Sequence, residues 1–210
     1  MKKKFELTTN TKMWFGKKLF QIKALISFGD VKAGELGGYV EKEENLSHDG
    51  NAWVYDNAQV YGNAQVFGNA RVFGNARVCD NAWVCDNAQV YGNARVCDNA
   101  RVYGNARVCG NARVYGNARV YGNAQVCGNA RVCDNADYLV IGPIGSRNDF
   151  TTFYRCRDGV TMVICGCFHG TIDKFEAKVA KTHGDNAHAQ AYRAAIQLAK
   201  IRVRTEPAKE

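Results

Sequence analysis

The chain has 210 residues, of which 46% are hydrophobic, and a formal net charge of +8 at pH 7. This length allows one elongated domain and one small globular domain, and no run of eighteen apolar residues predicts a membrane span. The segment MKKKFELTTN lacks the apolar centre of a signal peptide, and the nine cysteines form no secreted-type framework, so we expect a cytoplasmic protein with no membrane partner. The charge is spread out, at +2 for residues 1–50, +2 for 51–137 and +4 for 138–210, which weakens a nucleic-acid interpretation based on total charge.

Residues 1–50 are predicted to form an N-terminal β cap. The segment KKLFQIKAL alternates Phe20, Ile22 and Ala24 with polar neighbours, as a strand does. Leu46 lies two residues out of phase with Val54, which indicates an irregular first unit of the repeat that follows. A terminal cap is expected there because the end of a repeat array exposes apolar core.

Residues 51–137 repeat a six-residue unit without an insertion. Valine returns at every sixth position from Val54 to Val132, and asparagine and alanine keep the same period. An α-helix turns every 3.6 residues, so this period excludes a helix, whereas Ala-x-Val places two small residues on one face of a strand. Gly-Asn or Asp-Asn then supplies turn chemistry. Each unit therefore predicts a short strand followed by a corner.

A strand this short buries its alanine and valine only when successive units stack, so the sequence predicts a solenoid. The pattern resembles the hexapeptide-repeat proteins, and this resemblance implies a left-handed parallel β-helix with three hexads in each coil and somewhat under five coils. One position departs from the family pattern, because the residue after valine is Tyr, Phe or Cys where the family usually has Gly or an acidic residue. The family often forms closed oligomers, so a homodimer or homotrimer is expected.

Residues 138–204 are predicted to form a small α+β domain, followed by a loose tail at 205–210. YLVIGPIG and FTTFYRCRDGVTMVICGCF are strand-rich, with a hairpin turn at residues 157–159. Helical spacing follows in TIDKFEAKVAKTH and in DNAHAQAYRAAIQLAKIRV, where Asp185 or Asn186 can cap the second helix. The predicted fold class is an all-β solenoid with a small C-terminal α+β domain, and this last region loosely resembles modules of phage and prophage hexapeptide-repeat proteins.

Binding specificity is predicted to lie in the C-terminal domain, because near-identical coils present near-identical surfaces. A specific site needs convergent, unlike groups, and residues 138–210 carry half of the net charge and three of the four histidines. The predicted residues for a ligand or partner are Ser146, Arg147, Asp149, Tyr154, Arg155 and His169. Within them the loop IGSRND offers amides and a guanidinium to a phosphate or carboxylate, and a structural turn is the alternative interpretation.

A column of arginines is the alternative binding surface. Stacking at a spacing of 18 residues aligns four of them beside aromatic side chains: Arg77, Arg95, Arg113 and Arg131. Such an arrangement grips a polyanion or a nucleic acid. The competing interpretation, which we favour, is the charged outer face that any solenoid needs for solubility.

The cysteines suggest a disulfide or a metal site. Stacking brings Cys79 to Cys97, and Cys109 to Cys127, within disulfide range, but a reducing compartment predicts free thiols. A zinc site would combine the C-terminal residues Cys165, Cys167, His183 and His188. The C-x-C spacing is tighter than zinc sites usually have, so buried thiols and capping histidines are the favoured interpretation, and we predict no metal or cofactor.

Acyl transfer is the activity that the family resemblance brings, through a catalytic histidine near a subunit boundary. The coils contain no such group, since no histidine lies between His48 and His169. The sequence therefore predicts a non-catalytic binding protein in which a rigid β-helix displays a C-terminal recognition module. The phage-like resemblance implies a host-directed role, such as inhibition of a host-defence component. The expected partner is a host protein or a small anionic ligand.

Overall fold

The computed structural model describes residues 3–206, beginning with an antiparallel cap on one end of a solenoid. The cap consists of β1 (Phe5–Trp14), β2 (Lys17–Ala24) and β3 (Leu36–Val40), followed by a 3₁₀ turn at Glu43–Asn45. β3 pairs in parallel with the first full coil, with Val40 opposite Val60, and Leu46 bridges Val66 in the same way. The irregular first unit is thereby confirmed.

The cap buries the apolar end of the solenoid. Trp53 is fully buried there, with its ring centroid 6.2 Å from that of Phe5 and 5.4 Å from that of Phe28. β2 departs from the predicted alternation, since Leu19 is buried and Phe20 is not. Its pairing with β3 also contains a register shift, between Gln21 and Lys23. β1 was not predicted, since its mostly polar residues show no alternation and become a strand only by pairing with β2.

Fourteen two-residue strands, each ending in valine, form the solenoid. In chain order they are β4 (Trp53–Val54), β5 (Gln59–Val60), β6 (Gln65–Val66), β7 (Arg71–Val72), β8 (Arg77–Val78), β9 (Trp83–Val84), β10 (Gln89–Val90), β11 (Arg95–Val96), β12 (Arg101–Val102), β13 (Arg107–Val108), β14 (Arg113–Val114), β15 (Arg119–Val120), β16 (Gln125–Val126) and β17 (Arg131–Val132). They stack in parallel on three faces, so Val96 lies between Val78 and Val114. The predicted hexapeptide β-solenoid of about five turns is confirmed, while its left-handed sense stays a prediction.

Valine and alanine fill the interior of every coil. From Ala52 to Val132, each alanine and valine of the repeat has no exposed surface. The asparagine before each alanine lies at a corner. From Asn63 to Asn111 its side chain donates to the asparagine 18 residues later, as Asn87 Nδ2 does to Asn105 Oδ1 at 3.2 Å. Such amide ladders run along the corners and join neighbouring coils outside the apolar core.

From Asp56 to Gly128, the corner residue that precedes asparagine is Gly or Asp because its φ is positive. Asp86 has φ 58° and Gly104, one coil later, has φ 69°. The aspartates add a contact that glycine lacks, since Asp86 Oδ2 accepts a hydrogen bond from the Gly104 backbone N–H at 2.9 Å. An aspartate at this corner therefore ties one coil to the next.

Asp86→Ala should lower the free energy of unfolding by about 1 kcal/mol, because the Gly104 N–H loses its acceptor while a Cβ remains in the left-handed conformation, as in the wild type. Asp86→Gly is the matched control, which loses the same hydrogen bond but relieves a left-handed cost of about 1–2 kcal/mol, so it should be the more stable of the two variants. Urea denaturation measures both changes, and equal changes would contradict the role of φ at this corner.

The C-terminal module is an antiparallel sheet covered by two helices. Its elements are β18 (Tyr138–Ile144), β19 (Asp149–Arg155), β20 (Thr161–Cys165), β21 (Phe168–Thr171), α1 (Ile172–His183) and α2 (Ala187–Arg202), and the strands pair in chain order. Phe175 of α1 and Tyr192 of α2 pack with Phe153 of β19 in one core. The Asn186 side chain caps α2 by accepting from the Ala189 N–H at 3.0 Å. None of the helices in residues 3–206 is both long and apolar enough to cross a membrane.

A buried ion pair joins the solenoid to this module. Arg155 Nη2 lies 3.1 Å from Asp137 Oδ2, and their side chains are 5% and 0% exposed. Arg155 Nη1 also donates to the Glu206 carbonyl at 3.2 Å. Thr205 and Glu206, assigned from the sequence to a loose tail, instead pack against the junction, and a Cβ at Gly159 would lie 2.1 Å from the Thr205 carbonyl oxygen. The rest of that tail, 207–210, lies outside the described residues.

Candidate ligand groove at the end of the solenoid

A groove of about 810 Å³ opens where the last coil meets the C-terminal sheet, and we name it the junction groove. Its lining combines Gly128, Asn129 and Arg131 of the coils with Tyr154, Cys156, Arg157, Asp158, Val160, Met162, His169 and Thr171 of the module. Small-molecule sites have comparable volumes and likewise combine an apolar lining with a few polar groups.

His169 is held in the groove by Tyr154. Tyr154 Oη lies 2.7 Å from His169 Nε2, and the phenol belongs to a fully buried residue on β19. Burial raises the pKa of Tyr154, so the phenol stays protonated at neutral pH and the pair is joined by a neutral hydroxyl. A Cβ at Gly128 would lie 3.7 Å from His169 Cε1, an ordinary van der Waals distance, so the imidazole lies next to the coil at this residue.

Positive charge gathers at the same place. Arg131 is anchored by donating from Nη1 to the carbonyls of Ala130 at 2.9 Å and Asn111 at 3.2 Å. Burial, followed by the neighbouring Arg113 and Arg157 charges, lowers the pKa of Arg131. Arg157 is exposed on the turn before β20 and also lines the groove. The groove also contains the Asp158 carboxylate, so two guanidinium groups and one carboxylate leave a net positive charge. This charge beside an imidazole favours an anionic group as the ligand.

The six predicted binding residues do not form one site. Tyr154 and His169 line the junction groove. Ser146 and Arg147 lie in the exposed hairpin loop between β18 and β19, and Asp149 is the exposed first residue of β19. Arg147 Nη1 is 3.9 Å from Cys167 Sγ. Arg155 was expected to contact a ligand, but it is buried in the junction ion pair and is missing from this groove. Sequence reasoning missed Arg157, whose only signal was its place in a predicted turn.

The four arginines of the predicted column are aligned, but only two of them are fully exposed. The strand register aligns Arg77, Arg95, Arg113 and Arg131. Arg77 is half-buried, and its guanidinium lies 4.0 Å from the centre of the Trp14 ring. Arg131 is bound to carbonyls, so Arg95 and Arg113 are the exposed members. Two exposed arginines make a small footprint for a polyanion.

The predicted zinc candidates are not brought together. Cys165 Sγ lies 3.7 Å from Tyr192 Oη, while the His183 and His188 rings are 5.9 Å apart. Among the described residues, the group whose ligand atoms all lie within 4.8 Å is Cys79, Asp80 and Cys97 on the solenoid. The structure therefore assembles no metal centre from the four C-terminal residues within the part of the chain it describes.

Cys109 and Cys127 form a disulfide between adjacent coils, with their Cα atoms 4.5 Å apart. The prediction of free thiols is wrong for this pair. Stacking at a spacing of 18 residues holds the two side chains within disulfide distance, and the prediction from a reducing compartment took no account of this proximity. Cys79 and Cys97, aligned in the same way, are free thiols as predicted.

Reduction should lower the free energy of unfolding by about 3 kcal/mol, because the disulfide closes a loop with a sequence separation of 18. Thermal unfolding with and without reductant measures this loss. The double variant Cys109→Ser, Cys127→Ser should not respond to reductant. A denatured, untreated protein that titrates nine thiols instead of seven would contradict the disulfide.

His48 is engaged at both ring nitrogens. Its Nδ1 accepts from the Lys4 N–H at 3.1 Å, and its Nε2 lies 2.7 Å from Glu43 Oε1. The ring also stacks on Phe5 with centroids 4.3 Å apart. His48 thus helps to hold the cap together, and it also lines a groove of about 590 Å³ beside the cap. His169 lines the larger junction groove.

The coils match a known repeat family. The family described as YdcK Beta solenoid repeat matches residues 58–72, 64–80, 70–86, 88–104, 94–110, 106–122, 112–128 and 124–136. The chain is a hexapeptide-repeat β-solenoid protein. A 38-residue segment of this β-solenoid protein is 47% identical to the "Uncharacterized acetyltransferase YdcK" of Escherichia coli (strain K12). That match covers 18% of this chain and 12% of the relative.

Proposed function

We propose that this β-solenoid protein is a non-catalytic binding protein whose junction groove takes an anionic group. The observation that carries the proposal is the meeting of Arg131, Arg157, Tyr154 and His169 in one groove of about 810 Å³. The coils repeat one surface, whereas their end combines unlike groups, and specific binding needs such a combination. The solenoid then acts as a rigid support.

The anion belongs either to a small ligand or to an acidic side chain of a partner protein. We further propose that the partner is a host protein and that this protein is of phage or prophage origin. We also propose that it is located in the cytoplasm and forms a dimer or trimer. These four points rest on the sequence resemblance and composition. Native mass spectrometry of the purified protein reports the oligomer and any retained ligand.

A thermal shift with inorganic phosphate and with a hexaglutamate peptide tests the groove. A ligand of the folded state should raise the unfolding temperature, because it stabilises by RT ln(1 + [L]/Kd). Arg157→Gln combined with His169→Ala should remove the shift. Arg95→Gln combined with Arg113→Gln is the matched control and should keep it. Loss in the control instead, with a steep salt dependence, would favour the polyanion alternative.

Acyl transfer is a second candidate, favoured by the similarity to YdcK and by the placement of His169 in the groove. A catalytic base must reach its substrate, and His169 is exposed while Tyr154 orients its ring. We expect acetyl-CoA to give no thermal shift. A clear shift that His169→Ala abolishes, together with release of free thiol from acetyl-CoA, would favour the enzyme over plain binding.

A further inference from the structure

The residues that follow each valine point outwards and stack, at a spacing of 18, in three columns. These columns end differently at the C-terminal end of the solenoid. The column of Tyr115 continues to Cys133, and a Cβ at Gly116 would lie 2.7 Å from the Cys133 carbonyl oxygen. The column of Cys127 ends at the junction groove, where His169 lies over the next residue, Gly128. The third column ends at Tyr121 without a cover, since a Cβ at the following Gly122 would meet nothing within 4 Å.

Tyr121 is the exposed last ring of an aromatic stack. Its ring lies 5.2 Å from that of Tyr103, with an angle of 11° between the planes, and the residue is 51% exposed. The next member of this column, at the 18-residue spacing, would be Leu139. Leu139 instead belongs to β18, where it packs against the C-terminal core and also lines the groove beside Tyr121. The column therefore has no further aromatic ring at this spacing, and the place of the next ring lies at the surface.

A second groove, of about 470 Å³, occupies that place, and we name it the Tyr121 groove. Its lining includes Tyr121, Asn123, Asn135, Tyr138, Phe150 and Arg202. Tyr138 Oη donates to the Arg119 carbonyl, which fixes one wall. Arg202, exposed in the last turn of α2, is the one charged side chain among the described lining residues, and no carboxylate is among them.

We propose that the Tyr121 groove binds a nucleotide, with its base stacked on Tyr121 as the next ring of the column and its phosphate at Arg202. Every base offers a π-face to such a ring, and arginine matches the phosphate. The exposed Arg119, two residues before Tyr121 on the same outer face, adds a second positive charge. Asn123 Oδ1 already accepts from Asn105 Nδ2 at 3.2 Å, and Asn135 Oδ1 from the Arg119 N–H at 3.0 Å. The two side chains therefore offer chiefly their amide N–H groups to the edge of the base. This site is separate from the junction groove.

The nucleotide is either free or the end of a single strand, because both present a base and a phosphate. Adenosine monophosphate and a single-stranded hexadeoxyadenylate separate these sources. Equal affinity for the two probes indicates a free nucleotide. Tighter binding of the hexanucleotide, weakened by salt, indicates a strand end.

Isothermal titration with adenosine monophosphate tests the site. We expect saturable binding to the wild type, at least about tenfold weaker binding to Tyr121→Ala, and no such loss for Tyr121→Phe, which keeps the ring. Arg202→Gln should weaken the binding of adenosine monophosphate and leave that of adenosine unchanged. The junction groove is itself proposed to take an anion, so the titrations are repeated on the variant Arg157→Gln, His169→Ala, which removes that site. In this variant adenosine monophosphate should still bind at the Tyr121 groove, and ribose 5-phosphate should not bind. No saturable binding to the wild type, or unchanged affinity in Tyr121→Ala, would overturn the proposal.

Thermal unfolding of each variant shows whether a lost signal reflects the site or the fold. Tyr121 and Arg202 are both exposed, so their replacement should leave the unfolding temperature close to that of the wild type. If Tyr121→Ala unfolds, the affinities of Arg202→Gln for adenosine monophosphate and for adenosine test the site instead. An equal change in both affinities would contradict the assignment of the phosphate to Arg202.

Discussion

Val102→Asp is expected to prevent the solenoid from folding. Val102 has no exposed surface, and its register partners on the neighbouring coils are Val84 and Val120. An unpaired carboxylate or carboxylic acid in this apolar environment costs several kcal/mol. The whole stability of a typical protein is only about 5–15 kcal/mol, and adjacent coils depend on each other. Far-UV circular dichroism of the purified variant should show the loss of structure.

Arg113→Gln is the matched control on the outer face of the coils. Its side chain is exposed, and the repeat itself uses Gln at the same position in Gln89, so the free energy of unfolding should change by less than about 0.5 kcal/mol. Arg101 is a poorer control, because its guanidinium lies 4.5 Å from the centre of the Trp83 ring. Similar losses of structure in the Val102 and Arg113 variants would contradict the assignment of inside and outside.

Asp137→Ala is expected to lower the free energy of unfolding by about 3–5 kcal/mol, because it leaves the Arg155 guanidinium buried without its carboxylate. The same substitution removes the acceptor for the backbone N–H groups of Cys133 at 2.8 Å and Asp134 at 3.0 Å. Urea denaturation of the variant measures the loss. Arg147→Ala, on an exposed loop of the same module, should change the stability little.

A double-mutant cycle separates the ion pair from the other contacts of these two residues. The variant that carries both Asp137→Ala and Arg155→Ala should lose less stability than the two single losses combined, because neither charge is then left unpaired. Strict additivity would show that the two side chains do not interact in the folded protein. A combined Arg147 and Arg155 substitution would for the same reason test folding as well as binding, so it cannot locate a ligand site.

The sequence by itself determined the solenoid. The period from Val54 to Val132 specifies which side chains face inwards, where each corner falls and which residues stack at a spacing of 18. These features follow from local rules, namely the alternation of side chains along a strand and the positive φ of Gly or Asp at a corner. A repeated unit meets a copy of itself, so the long-range contacts of the coils could also be read from the sequence.

Only the tertiary structure decided how the C-terminal module sits on the last coil. The pairing of Arg155 with Asp137, the approach of His169 to Gly128 and the open stack at Tyr121 all depend on that docking. No local pattern encodes it, because the partners belong to different elements and occur once each. Sequence analysis therefore identified Tyr154 and His169 as polar candidates but misplaced Arg155, since whether an arginine binds a ligand or a buried carboxylate is set by what packs around it.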